Sequence, residues 1–467
     1  MVMSMKYSLL RSYLSHEEAA EIRKKLIVIA LPAMGENILQ MLLGIADTAF
    51  LGHYDWRVMS GVGVANQMVF ILQVILIAVS TGTMVYISNG LGAKNQRLVN
   101  RVSWHSIYLA AAVGIAMTLL AFFSDSFIEW FFPKAEPIVQ QAAQDYLAII
   151  LLGATGFSFM IVLGSVLRGA GDTKSPMITV AISNAINIFL DYALIFGRFG
   201  FPELGARGAA TATIISRFVG ATILLYLLFR NKRIAMGPKP CRFSSRVTRN
   251  IFSVGLPTAF DNLSFSVGIM VFANILLLAG ARVYAAHRIG INVESISFMP
   301  AWGLGVSITA LVGMYNGAGQ INKVIGTLRQ GWIISMCFSS IIGILIFLFP
   351  RAFIMIFTND AEIIQMASLP VRIIGLFQII LGTDFAFTGA LRGLGDTRFP
   401  MIASMIAMWL VRIPVGFVLV KYFGMGLMGA WIGMMIDMIL RMSLKVFRLL
   451  SGNWEKTADK VRKKAGA

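Results

Sequence analysis

Leu167-Arg168-Gly169-Ala170-Gly171-Asp172-Thr173 recurs as Leu391-Arg392-Gly393-Leu394-Gly395-Asp396-Thr397. Working outward from this pair, the duplication continues on both sides. Leu31-Pro32 opens an apolar stretch that closes at Gly92-Ala93-Lys94-Asn95-Gln96. Leu256-Pro257 opens a second that closes at Gly317-Ala318-Gly319-Gln320. Gly208-Ala209-Ala210 is echoed by Gly429-Ala430-Trp431. Two homologous membrane halves are the layout expected of a transporter in which one half moves against the other.

The chain has 467 residues, of which 57% are hydrophobic and 13% charged. A soluble domain carries about 25% charged residues. Apolar runs of spanning length, roughly 20 residues each, recur from end to end, so the fold class expected is an all-α polytopic membrane protein. A closed β-barrel is excluded, because its strands alternate in polarity and these runs are continuous. The first apolar run is long enough to span, so no cleavable signal is expected and the first helix serves for targeting.

Twelve spans are expected, near 26–52, 58–88, 102–132, 140–169, 175–198, 206–230, 250–280, 284–315, 328–357, 364–392, 399–422 and 426–450. They form two six-helix repeats, 26–230 and 250–450. Around them lie an N-terminal interfacial segment (1–25), a basic linker (231–249) and a basic tail (451–467). Ser15-His16-Glu17-Glu18 fits a capping box that starts a surface helix running into the first span, with Lys24 and Lys25 as anchors. The net charge of +18 falls in alternate loops. Lys94, Arg97 and Arg101, Lys174, the 231–249 linker, Lys323 and Arg329, Arg398 and the tail share one side. Lys134-Ala135-Glu136 and Asn359-Asp360-Ala361-Glu362 mark the other. That is the positive-inside pattern, with both termini cytoplasmic in a prokaryotic plasma membrane, and it replaces nucleic-acid binding as the reason for the charge. Cys241 and Cys337 form neither a disulfide framework nor a metal site.

Polar residues inside the spans are candidates for function, because a charge at the bilayer centre costs about 2.5–3.5 kcal/mol. In the first span Asn37, Gln40, Gly44 and Asp47 share one helix face, with Glu36 one position off it. In the fifth, Asn184, Asn187 and Asp191 share a face. Two carboxamides beside a carboxylate suit a proton or a small hard cation such as sodium, although asparagines also hydrogen-bond between membrane helices. In the sixth, Thr213 follows a small-residue packing run. Aligning the halves on their prolines pairs Glu36 with Asp261, Asn37 with Asn262, Gln40 with Phe265 and Asp47 with Phe272. The second half thus lacks a counterpart of Asp47, and its buried-acid candidates are Asp261, Asp384 and Asp437. Glu294 and Arg412 are further polar groups to be paired there. The repeated Arg-Gly-x-Gly-Asp-Thr reads as structural: a basic last turn, a left-handed glycine cap and an aspartate capping the next helix. The 27 methionines and 33 phenylalanines are mainly membrane apolarity. Met34, Met41, Met68 and Phe159, with Asn37, Gln40, Gln67, Asp261 and Asp384, are candidates for lining a substrate cavity.

Through Leu31-Pro32-Ala33, Asp47-Thr48, the doubled Leu-Arg-Gly-x-Gly-Asp-Thr, Asn187 with Asp191, and Gly208-Ala209-Ala210-Thr211-Ala212-Thr213, the chain resembles the multidrug and toxic-compound extrusion (MATE) family, and its DinF-type branch more than its NorM-type branch. The resemblance covers all twelve spans. It implies a V-shaped, two-lobed antiporter that exports organic, often cationic and aromatic compounds against an inward proton or sodium gradient. It implies that Asp47 and Asp191 carry the coupling and that Asn187 and Thr213 complete the cluster, which is also where a sodium ion would sit. NorM-type members have prominent acids in spans 7 and 10, but here the span 7 position corresponds to Phe265, with Asp261 one turn away. No cofactor is implied, and two lobes in one chain are expected to work as a monomer. A flippase for a lipid-linked or amphiphilic substrate remains an alternative on the same scaffold. A channel or a membrane-embedded enzyme is disfavoured: no selectivity-filter sequence occurs, and His16, His53, His105 and His287 lack metal-ligand spacing.

Overall fold

The computed structural model describes residues 14–133 and 135–466. Residues 1–13 of the expected interfacial segment, Lys134 and the last residue lie outside the described residues. Among the described residues every regular element is helical. The first half comprises α1 (His16–Tyr54), α2 (Trp56–Gly92), α3 (Gln96–Leu120), α4 (Ser124–Phe131), α5 (Pro137–Leu152), α6 (Ala154–Gly169), α7 (Lys174–Ile195) and α8 (Ala206–Arg230). The second comprises α9 (Ser245–Leu278), α10 (Ala281–Gly317), α11 (Ile321–Leu348), α12 (Pro350–Met355), α13 (Ala361–Gly393), α14 (Arg398–Met405), α15 (Ile413–Lys421), α16 (Gly426–Leu450) and α17 (Glu455–Gly466). Among the described residues, eleven spans are long and apolar enough to cross a membrane, and the bent pair α5–α6 makes the twelfth. Side chains such as Leu31, Leu119, Ile341 and Leu410 are exposed along the spans, as lipid-facing residues should be.

Several spans depart from straight helices for local reasons. The fourth breaks at Gly153, where α5 and α6 meet at 58°. A side chain at that position would collide with Ile214 on α8, so glycine lets the corner tuck against its neighbour. The eleventh contains a π-helical turn, Ile406–Arg412, just before Pro414. The proline lacks an N–H and its ring crowds the carbonyl one turn back, and a wider turn relieves both. The expected capping box at Ser15 is present: Glu18 N donates to Ser15 Oγ and Ser15 N to Glu18 Oε2, both at 3.1 Å. The helix it starts is α1 itself, continuous with the first span. Ile22 and Leu26 on it are fully buried, and Lys25 pairs with Glu21 at 2.6 Å.

The repeated motif ends α6 and α13 identically. Gly171 and Gly395 adopt left-handed conformations (φ 75° and 77°). Asp172 N donates to Leu167 O and Asp396 N to Leu391 O, at 3.0 and 2.8 Å, closing each helix with a Schellman turn. The two aspartates then diverge. Asp172 caps α7 through Ser175 N at 3.0 Å, whereas Asp396 accepts from Arg448 Nε on α16 at 2.9 Å.

Packing divides the chain differently from the repeat. One unit is Gly35–Ala259, and the other joins the segment up to Met34 to Phe260–Ala467. The cuts fall inside α1 and α9, and the linker 231–244 belongs with the first of these units. It is strapped along α3: Trp104 Nε1 donates to Gly237 O, Tyr108 Oη to Cys241 O, and Ser244 N to His105 Nε2. The beginning of α1 fills a core of the other unit, where Ile22, Leu26 and Ile29 pack with Ile308, Leu311, Phe387 and Leu391. The basic tail forms α17, whose Ala458, Val461 and Ala465 are buried.

Candidate functional site

Within the Gly35–Ala259 unit, α1, α5, α7 and α8 bring a polar cluster together. The i, i+3, i+7 spacing of Asn184, Asn187 and Asp191 puts all three on the buried face of α7, at 5%, 1% and 1% exposure. Asn184 Nδ2 donates to Leu39 O at 2.7 Å, tying α7 to the middle of α1 about two turns before Asp47. Ser183 Oγ donates to Ser216 O at 3.0 Å, tying α7 to α8. Asp47 and Asp191 lie close enough to interact directly. Thr213 spends its hydroxyl on Ala209 O at 2.9 Å and faces the Tyr146 hydroxyl of α5. Asp47, Asp191, Asn187, Asn184 and Thr213 are therefore gathered in one place.

The cluster is short of hydrogen-bond partners. Asp47 Oδ1, Asn184 Oδ1, both side-chain polar atoms of Asn187 and both carboxylate oxygens of Asp191 are buried without one. Buried polar groups in folded proteins are nearly always paired. A concentration of oxygen acceptors from four side chains is a set that a proton or a hard monovalent cation satisfies.

Two members of this site have no counterpart in the sequence reading. Tyr146 stands within electrostatic reach of Asp47, Asp191 and Arg217. Arg217 on α8 interacts with Asp47 and Tyr146. Its Nη1 lies 3.7 Å from Met160 Sδ and its guanidinium 5.5 Å from the Phe157 ring centroid. Arg217 was legible, being a charge in an apolar helix one turn after Thr213. Tyr146 carried no comparable signal.

The remaining polar candidates find partners. Glu36 binds Arg168 at 2.7 Å, and Asp261 faces Arg392 at 3.6 Å. These are the same pair in the two repeats, the acid one turn after the first-helix proline and the arginine of the duplicated motif. In the unit containing Phe260–Ala467, Asp384 is held by Lys445 at 2.7 Å and Arg441 at 3.4 Å. Lys445 also donates to Thr388 at 2.8 Å. Asp437 faces Arg412 at 3.9 Å. Arg412 also lies over the Phe272 ring at 4.6 Å, and Glu294 interacts with Arg412, Arg441 and Asp437. Four acids (Asp261, Glu294, Asp384, Asp437) thus meet four bases (Arg392, Arg412, Arg441, Lys445). Asp384 and Asp261 are ion-paired, in contrast to Asp47 and Asp191 of the other unit. Lys445→Met would strand part of the Asp384 charge. It should destabilise by about 3 kcal/mol, the low end for breaking a buried pair because Arg441 stays, read as a lowered melting temperature in detergent. Of the other cavity candidates, Asn37 and Met34 are half-buried and Gln40 and Gln67 exposed. Asn37, Gln40 and Gln67 belong to the Gly35–Ala259 unit, and Met34, Asp261 and Asp384 to the other.

The MatE family model matches the chain twice, over residues 32–193 and 257–418. Each match starts at the first-helix proline of a repeat. The chain is 54% identical to a Thermotoga maritima protein described as "Probable multidrug resistance protein NorM", over 98% of this chain and 99% of that one. Its fold superposes on a crystal structure of MATE in complex with MaL6 (TM-score 0.87, 22% identity, 93% of this chain and 97% of that one). It also superposes on a MOP superfamily transporter from Pyrococcus furiosus (TM-score 0.86, 21% identity, 93% and 97%). The doubled match, the twelve spans and the close relative together make this chain a multi-pass membrane transporter of the MatE family.

Proposed function

We propose that the protein is a secondary antiporter of the DinF-type branch. It exports organic, often cationic and aromatic compounds in exchange for protons or sodium ions, and it couples the two movements at Asp47 and Asp191. The observation that carries this reading is the set of buried, unpartnered oxygens on Asp47, Asn184, Asn187 and Asp191, set against the ion-paired acids Asp261 and Asp384 of the other unit. Two carboxylates side by side in a site of low dielectric do not both hold their charge cheaply, and they titrate as a pair. An ion delivered from outside neutralises them and alters how α1 packs near Pro32, which releases bound drug outward. Loss of the ion inward restores charge that favours a cationic drug. A gradient drives this cycle because ion and drug prefer different states. The basic loops support both termini lying in the cytoplasm of a prokaryotic cell, and the duplicated chain supports action as a monomer.

The test is uptake of a fluorescent organic cation by inside-out vesicles containing purified protein, under a pH gradient alone and then a sodium gradient alone. One gradient should drive uptake, and Asp47→Asn should reduce it to the level of protein-free vesicles. Normal concentrative uptake by Asp47→Asn would defeat the coupling assignment. Indifference of several cations to both gradients would favour a lipid flippase instead.

A further inference from the structure

Arg217 is half-buried on a membrane-spanning helix, yet among the described residues no carboxylate comes within ion-pairing distance of it. Its guanidinium rests on a thioether at 3.7 Å and an aromatic face at 5.5 Å. These are soft, weak partners for a cation. One turn away along α8 stands Thr213, and within electrostatic reach stand Asp47 and Tyr146. Both Asp191 oxygens and Asp47 Oδ1 are buried without partners. An unpaired cation thus stands within electrostatic reach of Asp47, whose neighbour Asp191 has no partner for either oxygen, and its side chain is long enough to change partners.

We propose that Arg217 is a built-in cation of the Asp47–Asp191 site and the residue that determines its ion specificity, holding the place a sodium ion would otherwise take. This rests on the reading of Asp47 and Asp191 as the coupling site. With both carboxylates ionised, the pair carries two negative charges, and Arg217 leaves a net one. A sodium ion approaching the oxygens meets the guanidinium as a like charge in a medium that screens poorly, where such repulsion is large. The ion must also compete for the same oxygens with five N–H donors. A proton binds covalently to one oxygen and leaves the others to the guanidinium. The site therefore rejects sodium and leaves the proton as coupling ion. Methionine at this position would keep the contacts with Met160 and Phe157 and remove the charge.

The experiment is binding of radioactive sodium to purified protein in detergent, for wild type, Arg217→Met, Arg217→Lys and Arg217→Met/Asp191→Asn. Wild type and Arg217→Lys should show no saturable binding in the millimolar range. Arg217→Met should bind sodium saturably and at least about tenfold more tightly, and the double variant should lose that binding. Saturable wild-type binding that Asp191→Asn abolishes would overturn the proposal. So would an Arg217→Met protein that is folded and binds sodium no better than wild type. If Arg217→Met does not fold, Arg217→Gln and the wild-type result decide the matter in the same terms. Sodium binding needs no drug. Absence of drug uptake under every gradient would therefore remove the antiporter reading alone, and unchanged sodium binding beside pH-driven uptake would remove this one alone.

Discussion

Asp191→Asn should lose most gradient-driven uptake and raise the melting temperature of the protein. Both effects follow from one geometry. The side chain is 1% exposed, and neither carboxylate oxygen has a hydrogen-bond partner. Its strongest neighbour is another acid, Asp47. An unsatisfied buried group costs about 1–3 kcal/mol, more when charged, so deleting the charge while keeping the shape relieves the fold. Unfolding should move up by about 2 °C in detergent. If Asp191 carries the proposed coupling, the same deletion removes the change in charge by which ion and drug exclude each other. Coupling free energies are about 1–3 kcal/mol, so their loss should lower concentrative uptake by roughly a hundredfold. A structural aspartate would move both quantities down together. Measuring both on one preparation separates the two roles.

Gly255→Val should prevent recovery of a monodisperse protein, or lower its stability by about 3 kcal/mol, the upper end for overpacking. A Cβ at Gly255 would be driven into the Ala78 carbonyl, and one at Gly82 into the Ile251 carbonyl. α2 and the start of α9 therefore touch backbone to backbone through two reciprocal glycines. Neither obstacle is a side-chain tip that can swing aside. Gly63→Ala on the same α2 is the control. A Cβ there meets nothing within 4 Å, so this change should be neutral or stabilise by up to about 1 kcal/mol through helix propensity. Size-exclusion profiles and melting curves of the two variants check the contrast.

Much of this was legible in the residues because membrane physics leaves few choices. Continuous apolar runs set the spans, and the constant offset between the halves set the repeat. The helical spacing of Asn184, Asn187 and Asp191 put them on one face, which the fold turns inward. The proline alignment matched Glu36 with Asp261 and the motif matched Arg168 with Arg392. That acid and arginine bind each other was hidden, because the contact spans 132 residues of chain. Hidden for the same reason were the bases Arg441 and Lys445 that take up Asp384. The corner at Gly153 depends on Ile214, which is remote in sequence. The helix α17 is different: Ala458, Val461 and Ala465 already stood at helical spacing within a basic tail, and its charge obscured its periodicity.

The placement of the unit boundaries inside α1 and α9 bears on how such a chain arose. The backbone of Gly303 on α10 lies against Ala33 and Met34, with a Cβ there only 2.8–2.9 Å from their backbone atoms. Its repeat counterpart, Ala78 on α2, lies against Gly255 at the start of α9. Each repeat thus lends the opening turns of its first helix to the body built from the other. A single-repeat ancestor with this arrangement would have been an exchanged dimer, neither copy complete alone. Gene fusion would have turned that mutual dependence into one polypeptide, after which the copies were free to diverge, one keeping Asp47 and Asp191 without basic partners and the other pairing Asp261 and Asp384.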